Sequence, residues 1–342
     1  MFTILQCIEF VFSSRDRRSV VLRDIKMEVV PTFESMPNFR PVVVKVTPDT
    51  SSTEKHCQAT LYRSSRPDFL ENDELKKFEE LGIKCIIDLR SSKEYEKANG
   101  AKNLNKTFTV NKISLPLPWK KLKVGEKAEL KPIEKYLPEN TERKGKHVLV
   151  NFFRLNYIVA VFSRAPWYLQ IMSLFYLLID LIGNTGYKNF VRIFARNILN
   201  PVGIAGQYKD MVTYSHASIC SALKLLTEKE NIPAMLNCAH GKDRTGIIVA
   251  LVMHIVRKPQ NEIFQEYAKS SEGLQAMKDR LYKEIVVNLH MCPSFTTAKE
   301  STMEELFKFL TDEYGSVDNY LEFIGFSQSE QAMLRENLLG SS

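Results

Sequence analysis

The chain has too few cysteines, in the wrong spacing, to be organised by disulfide bonds or by zinc. Its 342 residues contain six cysteines, and no two of them form a C-x-x-C pair or a cluster with histidines at zinc-ligand spacing. Sparse cysteines in a chain of this length are typical of free thiols in a reducing compartment, so we expect a cytoplasmic location. The residues give no reason to expect a metal ion or another cofactor.

Long uncharged apolar stretches are also scarce. The apolar run over residues 2–12 is interrupted by Gln6 and Glu9 and lacks a basic leading segment, so it does not have the pattern of a signal peptide. Residues 155–183 are densely apolar, but the run 167–182 is short for a membrane span and contains Asp180. This segment predicts a buried helix or an apolar cap over a functional site, with contact to a membrane surface as the alternative.

The composition sets only broad limits on function. With 44% hydrophobic and 25% charged residues the chain has the values of an ordinary folded protein, and its length suits one large domain or two smaller ones. The formal net charge of +7 favours anionic partners such as phosphates, acidic peptides or anionic lipid surfaces. We expect no nucleic-acid partner, and nothing in the sequence indicates an oligomeric state.

The pattern of apolar residues predicts an α/β fold. A helix is expected from Asn72, a helix-capping residue type, to Gly82, and the mostly apolar run 83–89 follows it as a buried strand. Residues 234–237 are predicted to form a strand that leads directly into Cys238. The other expected elements are a strand over 42–46, helices over 247–256, 303–314 and 328–339, and an irregular, exposed, lysine-rich segment over 93–147.

The segment 238–246 has the residues needed for phosphate ester hydrolysis. It contains a cysteine, five further residues, Arg244 and Thr245, between a predicted strand and a predicted helix. Backbone N–H groups of a loop that opens a helix point inward, and the helix dipole adds positive potential, so the loop can bind a phosphate dianion and favour a thiolate. Cys238 would attack phosphorus and Arg244 would grip two phosphoryl oxygens. Thr245 would donate its hydroxyl to the thiolate when that thiolate becomes the leaving group.

The reaction also needs a proton for the leaving oxygen. Asp243, inside the loop, is the first candidate for this general acid, and Asp88, at the end of the predicted strand 83–89, is the second. Asp88 and Arg90 can equally form a buried pair that braces the floor of the site, and Arg63 is expected to act in the same supporting way. The residues expected to bind the substrate are those of the loop: Ala239, His240, Gly241, Lys242 and Thr245.

Several blocks of the sequence, together with this loop, resemble the tyrosine/serine phosphatase family of the cysteine-based phosphatase superfamily, typified by bacterial secreted triple-specificity phosphatases. Residues 237–246 resemble the signature loop of that superfamily. The other blocks occur in the order found in the family: 38–40, 61–65, 87–91 with Glu94, 200–203 with Tyr208 and Met211, and 314–317 with Tyr320, Leu321, Gly325 and Phe326. The resemblance covers about residues 36–339.

The resemblance implies a central, mostly parallel sheet with helices on both sides and a helical cap insertion at roughly 119–200. It implies activity on phosphotyrosine, in some members also on phosphoserine, phosphothreonine and phosphoinositides, with the aspartate that matches Asp243 as a proposed general acid. Lys242 also resembles the loop of phosphoinositide 3-phosphatases and Asp243 that of myotubularins. The sequence departs from the family in two segments: Asn237 replaces the usual histidine, and Pro41-Val42-Val43 replaces an aspartate and glycines.

These features predict a flexible extension over 1–30 and a phosphatase domain over 31–342, with C-terminal helices over 300–342. The favoured function is a protein phosphatase with a phosphocysteine intermediate, and the alternative is a phosphoinositide phosphatase at membrane surfaces. A phosphate-binding module without activity is disfavoured because Cys238 and Arg244 are both present. A sulfurtransferase or arsenate reductase is disfavoured because no resolving partner for Cys238 is identifiable.

Overall fold

A mixed sheet organises the part of the chain that the computed structural model describes, which comprises residues 25–27, 30–48, 55–117, 120–127, 129–137, 143–183 and 188–340. Its strands are β1 (Ile25–Met27), β2 (Arg40–Pro48), β3 (Lys55–Ser64), β4 (Cys85–Asp88), β5 (Phe108–Ser114), β6 (Glu129–Pro132), β7 (Gly145–Leu149) and β8 (Ala234–Asn237). Within these residues the sheet has eight strands in the order β1-β3-β8-β4-β7-β5-β6, with β2 antiparallel to β3. The pairings that link β3, β8, β4, β7 and β5 are parallel, which confirms the predicted mostly parallel sheet.

Helices cover both faces of the sheet. They are α1 (Asn72–Glu80), α2 (Ser92–Lys97), α3 (Leu155–Ser163), α4 (Trp167–Ile182), α5 (Lys188–Phe194), α6 (Asn200–Tyr214), α7 (His216–Leu225), α8 (Asp243–Ile255), α9 (Gln260–Gly273), α10 (Lys278–Tyr282), α11 (Glu300–Tyr314), α12 (Val317–Phe323) and α13 (Gln328–Leu339). A π-helical turn over Ala195–Leu199 joins α5 to α6. The architecture is the predicted α/β fold.

The alternation of side chains along β8 shows how the two faces are filled. Leu236 belongs to a large core that includes the apolar residues of α8, and Met235, on the opposite face, belongs to a smaller core with Tyr62 and Phe78. Because β8 is buried on both faces, it is a short and almost wholly apolar strand. The bounds predicted for this strand and for the last helix, 328–339, are confirmed, and the predicted helix 247–256 corresponds to α8.

The lysine-rich segment 93–147 is not irregular, so this prediction was wrong. It contains most of α2 together with β5, β6 and the start of β7, and β7 lies between β4 and β5 inside the sheet. The many lysines make the segment polar on average, so its overall composition does not show the short apolar strands within it. Pairing with strands elsewhere in the chain determines the structure of these strands. The range expected for the cap, 119–200, therefore includes two strands of the sheet, and its helical part begins at Leu155.

Other predictions concern the ends and the chemistry of the chain. Most of the expected extension over 1–30 lies outside the described residues, which include only 25–27 and residue 30 of it. Among the described residues, no helix combines the length and the apolar character needed to cross a membrane. The described cysteines, at positions 57, 85, 220, 238 and 292, carry free thiols, as predicted, and Cys7 lies outside the described part.

Candidate active site

The segment Cys238–Gly246 turns from the carboxyl end of β8 into the first turn of α8. β8 pairs with β3 and β4, so Ser64 and Asp88 stand beside Asn237 at the same edge of the sheet. Cys238 follows the strand directly and is 3% exposed, and α8 begins at Asp243. The loop therefore lies at the amino end of a 13-residue helix, where backbone N–H groups and the helix dipole favour an anion.

The shape of this loop depends on Gly241. Its φ of 63° lies in the left-handed region, and a Cβ atom at this position would come within 2.1 Å of the carbonyl oxygen of Ser64. The Gly241 carbonyl accepts hydrogen bonds from Asn38 Nδ2 at 2.8 Å and from Arg63 Nη2 at 2.6 Å. The loop is thus held against the end of β3 by two side chains that lie far from it in the sequence.

A buried ion network holds Arg63 in place. Arg63 is fully buried, and its Nη1 donates to Glu266 Oε2 at 2.6 Å, while Arg40 Nε donates to Glu266 Oε1 at 2.7 Å. Burial opposes the charged form of Glu266, but the two guanidinium groups outweigh it and lower the pKa of that carboxyl. One carboxylate of α9 therefore ties β2 and β3 together beneath the loop, which is the arrangement that a bracing role for Arg63 requires.

Arg244 lies on the first turn of α8 and is 8% exposed. Its Nη1 donates to the carbonyl oxygen of Leu89 at 2.9 Å and to the carboxylate oxygens of Glu94 at 3.0 and 3.1 Å. The centre of the guanidinium group lies 5.0 Å from the centre of the Phe153 ring. Burial works against the charge, but Glu94 and Cys238 outweigh it and raise the pKa of Arg244. An incoming anion would therefore meet a charged guanidinium that is already oriented.

Asp243 and Lys242 form an ion pair within the loop. Lys242 Nζ donates to Asp243 Oδ1 at 2.7 Å and to the carbonyl oxygen of Thr297 at 3.1 Å, and the Tyr208 hydroxyl donates to the same Asp243 oxygen at 2.8 Å. Burial opposes the charge on Asp243, but Lys242 and these hydrogen bonds outweigh it and lower the pKa of the carboxyl. Lys242 was predicted to bind substrate, yet its side chain is completely buried and its ammonium donates its hydrogen bonds to Asp243 and Thr297.

Asp88, the second candidate acid, is completely buried at the end of β4. Its carboxylate accepts hydrogen bonds from Arg90 Nη2 at 2.6 Å and from His147 Nε2 at 3.1 Å, and Arg90 Nη1 also donates to Asp68 Oδ2 at 2.6 Å. Burial opposes the charge on Asp88, but Arg90 and His147 outweigh it and hold the pKa of the carboxyl well below its usual range. Asp88 and Arg90 are thus a buried pair with no surface through which to protonate a leaving group.

His240 belongs to a cation-rich rim beside the loop. Its Nε2 lies 2.7 Å from Glu284 Oε2, Arg280 Nε donates to Glu284 Oε1 at 2.9 Å, and Arg66 Nη2 lies 3.8 Å from the same oxygen. Both arginines also lie over the ring of Phe69. Burial opposes the charge on Glu284, but His240 and Arg280 outweigh it and lower its pKa to about 2. A single carboxylate is therefore shared by three basic side chains.

Four buried polar side chains at the loop have hydrogen-bonding atoms without a partner in the described part of the chain: Arg63, Ser64, Asn237 and Thr245. The Thr245 hydroxyl is predicted to bond the thiolate of Cys238, and the structure shows no hydrogen bond between the two. Asn237, at the family's histidine position, leaves both polar atoms of its amide unpaired. The surroundings of Cys238 therefore contain donors that are not committed to other groups.

Of the carboxylates that hold the arginines of the site, the sequence indicated only Asp88, the partner of Arg90. Glu94, the partner of Arg244, does carry a local signal, because it completes a capping box with Ser91 at the start of α2. Glu266 and Asp68 carry none, since they lie 203 and 22 positions from Arg63 and Arg90. Only the fold brings these groups together.

Comparison with known proteins gives partial matches to individual phosphatases. The chain is 26% identical over 122 residues to the triple specificity protein phosphatase PtpB of Mycobacterium tuberculosis, which covers 32% of this chain and 44% of PtpB. It is 34% identical over 87 residues to the inositol diphosphatase DSP4 of Arabidopsis thaliana, which covers 25% of this chain and 44% of DSP4. The corresponding match to inositol diphosphatase DSP3 of the same plant is 27% over 108 residues, with 31% and 53% covered. The chain thus spans about half the length of the curated relatives it matches.

A family profile covers far more of the chain. The profile described as the tyrosine phosphatase family matches residues 31–174 and 199–340, which is more than half of the 342 residues. The match includes the loop 238–246, the bracing residues Asn38 and Arg63 and the C-terminal helices, and it omits residues 175–198 of the cap. The chain belongs to the tyrosine phosphatase family.

Proposed function

We propose that the protein is a cysteine-dependent phosphatase that hydrolyses phosphate monoesters through a phosphocysteine intermediate. The observation that carries this proposal is the position of Cys238 and Arg244 on one braced loop at the amino end of α8. A thiolate there is a nucleophile, and the inward N–H groups stabilise the charge that develops on the phosphoryl oxygens. Membership of the tyrosine phosphatase family supports the same chemistry.

The reaction takes two steps. In the first, Cys238 Sγ forms a bond to phosphorus, the bond between phosphorus and the ester oxygen breaks, and Asp243 gives its proton to the departing oxygen. In the second, a water oxygen attacks phosphorus, the proton of the water passes to Asp243, and the sulfur–phosphorus bond breaks to release inorganic phosphate and the thiolate. Arg244 holds two phosphoryl oxygens throughout, since its planar fork matches their spacing.

We assign the proton transfer to Asp243 rather than to Asp88. The Asp243 side chain is 25% exposed, whereas that of Asp88 is completely buried and held by Arg90. Without substrate, the ion pair with Lys242 keeps the pKa of Asp243 low, which disfavours the acid form. A bound phosphate dianion reverses this influence, because a nearby negative charge raises the pKa of a carboxyl and attracts the Lys242 ammonium.

We further propose that phosphotyrosine in proteins is the principal substrate, with phosphoserine and phosphothreonine as additional ones. The Phe153 ring beside Arg244 offers an aromatic wall at the position where a phosphate would bind. The name of PtpB describes a triple specificity protein phosphatase. The ring supports an aromatic phosphate ester, and the name of this relative supports a protein as the molecule that carries it.

A phosphoinositide or soluble inositol phosphate is the second candidate substrate. The rim of Arg66, His240 and Arg280 shares one carboxylate, Glu284, and can bind a further phosphate group of a multiply phosphorylated ring. Two of the relatives described above are named inositol diphosphatases. These observations favour a substrate with more than one phosphate.

The test is phosphate release by the purified full chain from a phosphotyrosine peptide, a phosphoserine peptide and short-chain phosphoinositides, with Cys238→Ser as the control. We expect the phosphotyrosine peptide to be preferred, and preference for the lipids would favour the second candidate. Release should continue in the presence of a metal chelator, because neither the thiolate nor Arg244 requires a metal ion. No release from any of these substrates would overturn the proposed function.

Substitutions in the rim can distinguish between the two candidate substrates. Arg280→Gln removes one charge-assisted contact, so it should lower kcat/KM for a phosphoinositide about tenfold while changing that for the peptide much less. Arg257→Gln, an exposed arginine of an ion pair with Asp318, is the matched control and should change neither value. Equal losses on peptide and lipid in Arg280→Gln would remove the argument from the rim.

A further inference from the structure

The outward face of α4 is apolar along its whole length. At 100° per residue, the exposed positions of this helix fall within an arc of about 160°. Ile182 is 80% exposed and Trp167 is 73% exposed, and further exposed side chains of the arc include Ile171, Leu174, Phe175 and Leu178. The neighbouring helix α3 adds Leu155, Ile158 and Val159. We call these exposed side chains of α3 and α4 the apolar cap face.

The inward face of α4 is the more polar one. Its fully buried residues are Ser173 and Asp180. The carboxylate of Asp180 accepts a hydrogen bond from the backbone N–H of Phe190 at 2.8 Å and from Asn189 Nδ2 at 2.9 Å, which links α4 to the start of α5. A helix of a protein surrounded by water shows the opposite distribution, with its apolar stripe inward. This inverted polarity fits a helix whose outer neighbour is itself apolar.

The charges of the cap have almost entirely one sign. Residues 154–199 contain one acidic residue, Asp180, and five basic residues, so their formal charge is +4. Asp180 is buried, and Arg192 and Arg196, on α5 and the turn that follows it, are exposed. Burial lowers the pKa of His290, and the charges of Arg192 and Arg196 lower it further. Among its described residues the cap presents no exposed carboxylate that would repel an anionic surface.

We propose that the apolar cap face docks onto the surface of a bilayer that contains anionic lipids. α4 has 16 residues and is about 24 Å long, which is less than the roughly 30 Å thickness of a bilayer's hydrocarbon core. The helix therefore lies in the interface, with its apolar arc toward the acyl chains and Arg192 and Arg196 available to anionic head groups. Trp167 and Tyr168, at its amino end, are residue types that favour this boundary.

A bilayer suits this face better than a protein partner does. A second copy of the chain would bring a cap with the same positive charge against the first, which opposes association. A protein partner of another kind meets its target through a polar rim around an apolar centre, whereas the exposed arc of α4 carries no charged side chain from one end to the other. An apolar phase bounded by negative charge matches both the apolar arc and the net positive charge of residues 154–199.

The docking face is connected to the catalytic loop. α3 begins at Leu155, immediately after the segment that places Phe153 beside Arg244. α6, which follows the cap in the chain, supplies the Tyr208 hydroxyl that binds Asp243. Docking would therefore hold the loop near lipid head groups. That consequence rests on the proposed function, whereas the docking itself does not.

Fluorescence of Trp167 tests the docking directly. The chain has two tryptophans, Trp119 and Trp167, so Trp119→Phe leaves Trp167 as the only tryptophan. Phosphatidylcholine vesicles that contain phosphatidylserine are expected to shift its emission to shorter wavelength and to protect it from acrylamide, because the indole leaves water. Vesicles of phosphatidylcholine alone should do so at higher lipid concentration only, since the electrostatic attraction is missing. An unchanged spectrum with both kinds of vesicle would overturn the proposal.

Vesicle flotation with variants identifies the face. Phe175→Ser combined with Leu178→Ser should weaken binding at least tenfold, because two buried apolar side chains are lost from the interface. Arg192→Gln combined with Arg196→Gln should weaken binding to anionic vesicles by about fivefold per charge. Val124→Ser combined with Met333→Ser, which alters side chains 63% and 50% exposed outside the cap, is the matched control and should bind normally. Equal binding by all variants would contradict the assignment.

Measuring turnover of a soluble aryl phosphate distinguishes effects on membrane docking from effects on catalysis. The Phe175→Ser, Leu178→Ser variant should keep this turnover unchanged, and Cys238→Ser should lose it while still binding vesicles. If the enzyme is inactive on every substrate but the wild-type chain floats with anionic vesicles, the proposed function fails and the docking stands. If sedimentation shows that the wild-type chain is a dimer and that the Phe175→Ser, Leu178→Ser variant is a monomer, the apolar cap face binds a second copy of the chain. That result would overturn the proposal.

Discussion

The loop and the cap depart from the usual distribution of side chains in opposite directions. Beneath the loop, charged groups that proteins seldom bury are almost completely hidden: Arg63, Asp88, Arg90 and Lys242. On the cap, apolar side chains that proteins usually bury are exposed, above all Trp167 and Ile182. Neither arrangement is the most stable one for a protein in water, and we propose a different reason for each: an anion at the loop and an apolar neighbour at the cap.

Among substitutions in the two regions, the largest effect is expected for the loss of the Cys238 thiol, and it is an effect on catalysis. Cys238→Ser should reduce turnover at least about 10⁴-fold, because a serine hydroxyl is a far weaker nucleophile than a thiolate. Binding of a phosphotyrosine peptide, measured by calorimetry, should be retained. Cys292→Ser alters an exposed thiol outside the loop and should leave both quantities unchanged. Full activity of Cys238→Ser would contradict the mechanism.

The next effect concerns stability beneath the loop. Asp88→Asn leaves Arg90 with one of its two buried carboxylate partners, so the free energy of unfolding near neutral pH should fall by about 3–5 kcal/mol. Because the pKa of Asp88 is lower in the folded chain than in the unfolded one, its contribution is fully present above pH ~4 and is lost as the pH falls further. Denaturant unfolding at several pH values should therefore show the difference shrinking in acid.

A control for this measurement is Asp312→Asn, which alters an exposed ion pair with Lys308. Its cost should stay below about 0.5 kcal/mol at every pH. A cost for Asp88→Asn as small as that of Asp312→Asn would show that the buried pair does not support the floor of the site.

The role of Asp243 should depend on the leaving group. Asp243→Asn should slow hydrolysis of alkyl phosphates by about 10²–10³-fold, because a poor leaving group needs a proton. Hydrolysis of an activated aryl phosphate should slow much less. The measurement is kcat for a series of esters with different leaving-group pKa values. Equal losses across the series would exclude Asp243 as the general acid.

Substitutions of two glycines can distinguish the cost of a left-handed backbone conformation from the cost of close packing. Gly241 and Gly82 have nearly the same φ, 63° and 62°, but only a Cβ atom at Gly241 would meet another group, the carbonyl oxygen of Ser64 at 2.1 Å. Gly82→Ala should cost about 1–2 kcal/mol from its φ alone. Gly241→Ala should cost more, and it should also lower turnover because the loop must shift. Equal costs in thermal unfolding, with full activity, would show that the loop is not tightly held.

The smallest effect is expected on the cap. Ile182→Ser should change the free energy of unfolding by no more than about 0.5 kcal/mol, because this side chain is 80% exposed and contributes little to the core. Ile87→Ser, a change of a fully buried residue of β4, is the contrasting variant and should cost several-fold more. A large loss of stability in Ile182→Ser would mean that the cap face is covered within the protein itself.

The sequence predicted best those elements whose signals are local. The strand 234–237 is an apolar run that follows Pro233, and the spacing of a cysteine, glycines and an arginine marks the loop after it. The structure confirms both, and it confirms the helix 328–339. β5 and β7 escaped prediction because lysines lie within and beside them, and their place in the sheet depends on parallel partners elsewhere in the chain. Averages over a segment cannot show such pairing.

In the candidate site, too, the features with local signals were predicted and those that depend on distant residues were not. Cys238, Arg244 and Asp243 lie within one short segment, so their spacing is visible in the sequence. The partners that orient them are distant: Leu89 and Glu94 for Arg244, and Tyr208 for Asp243. The direction of the Lys242 side chain, which turns toward Asp243 and Thr297, likewise follows from tertiary packing that no local pattern records.

The bonds that Asn38 and Arg63 make to Gly241 have a consequence for the energetics of binding. A loop that is already fixed by the sheet loses its conformational entropy once, during folding, and not again each time a ligand arrives. Its affinity for an anion should therefore include no cost for ordering the loop, whichever molecule carries the phosphate. Discrimination between such molecules then belongs to the surfaces around the loop, where a change of side chain can alter the preferred ligand without disturbing the reaction.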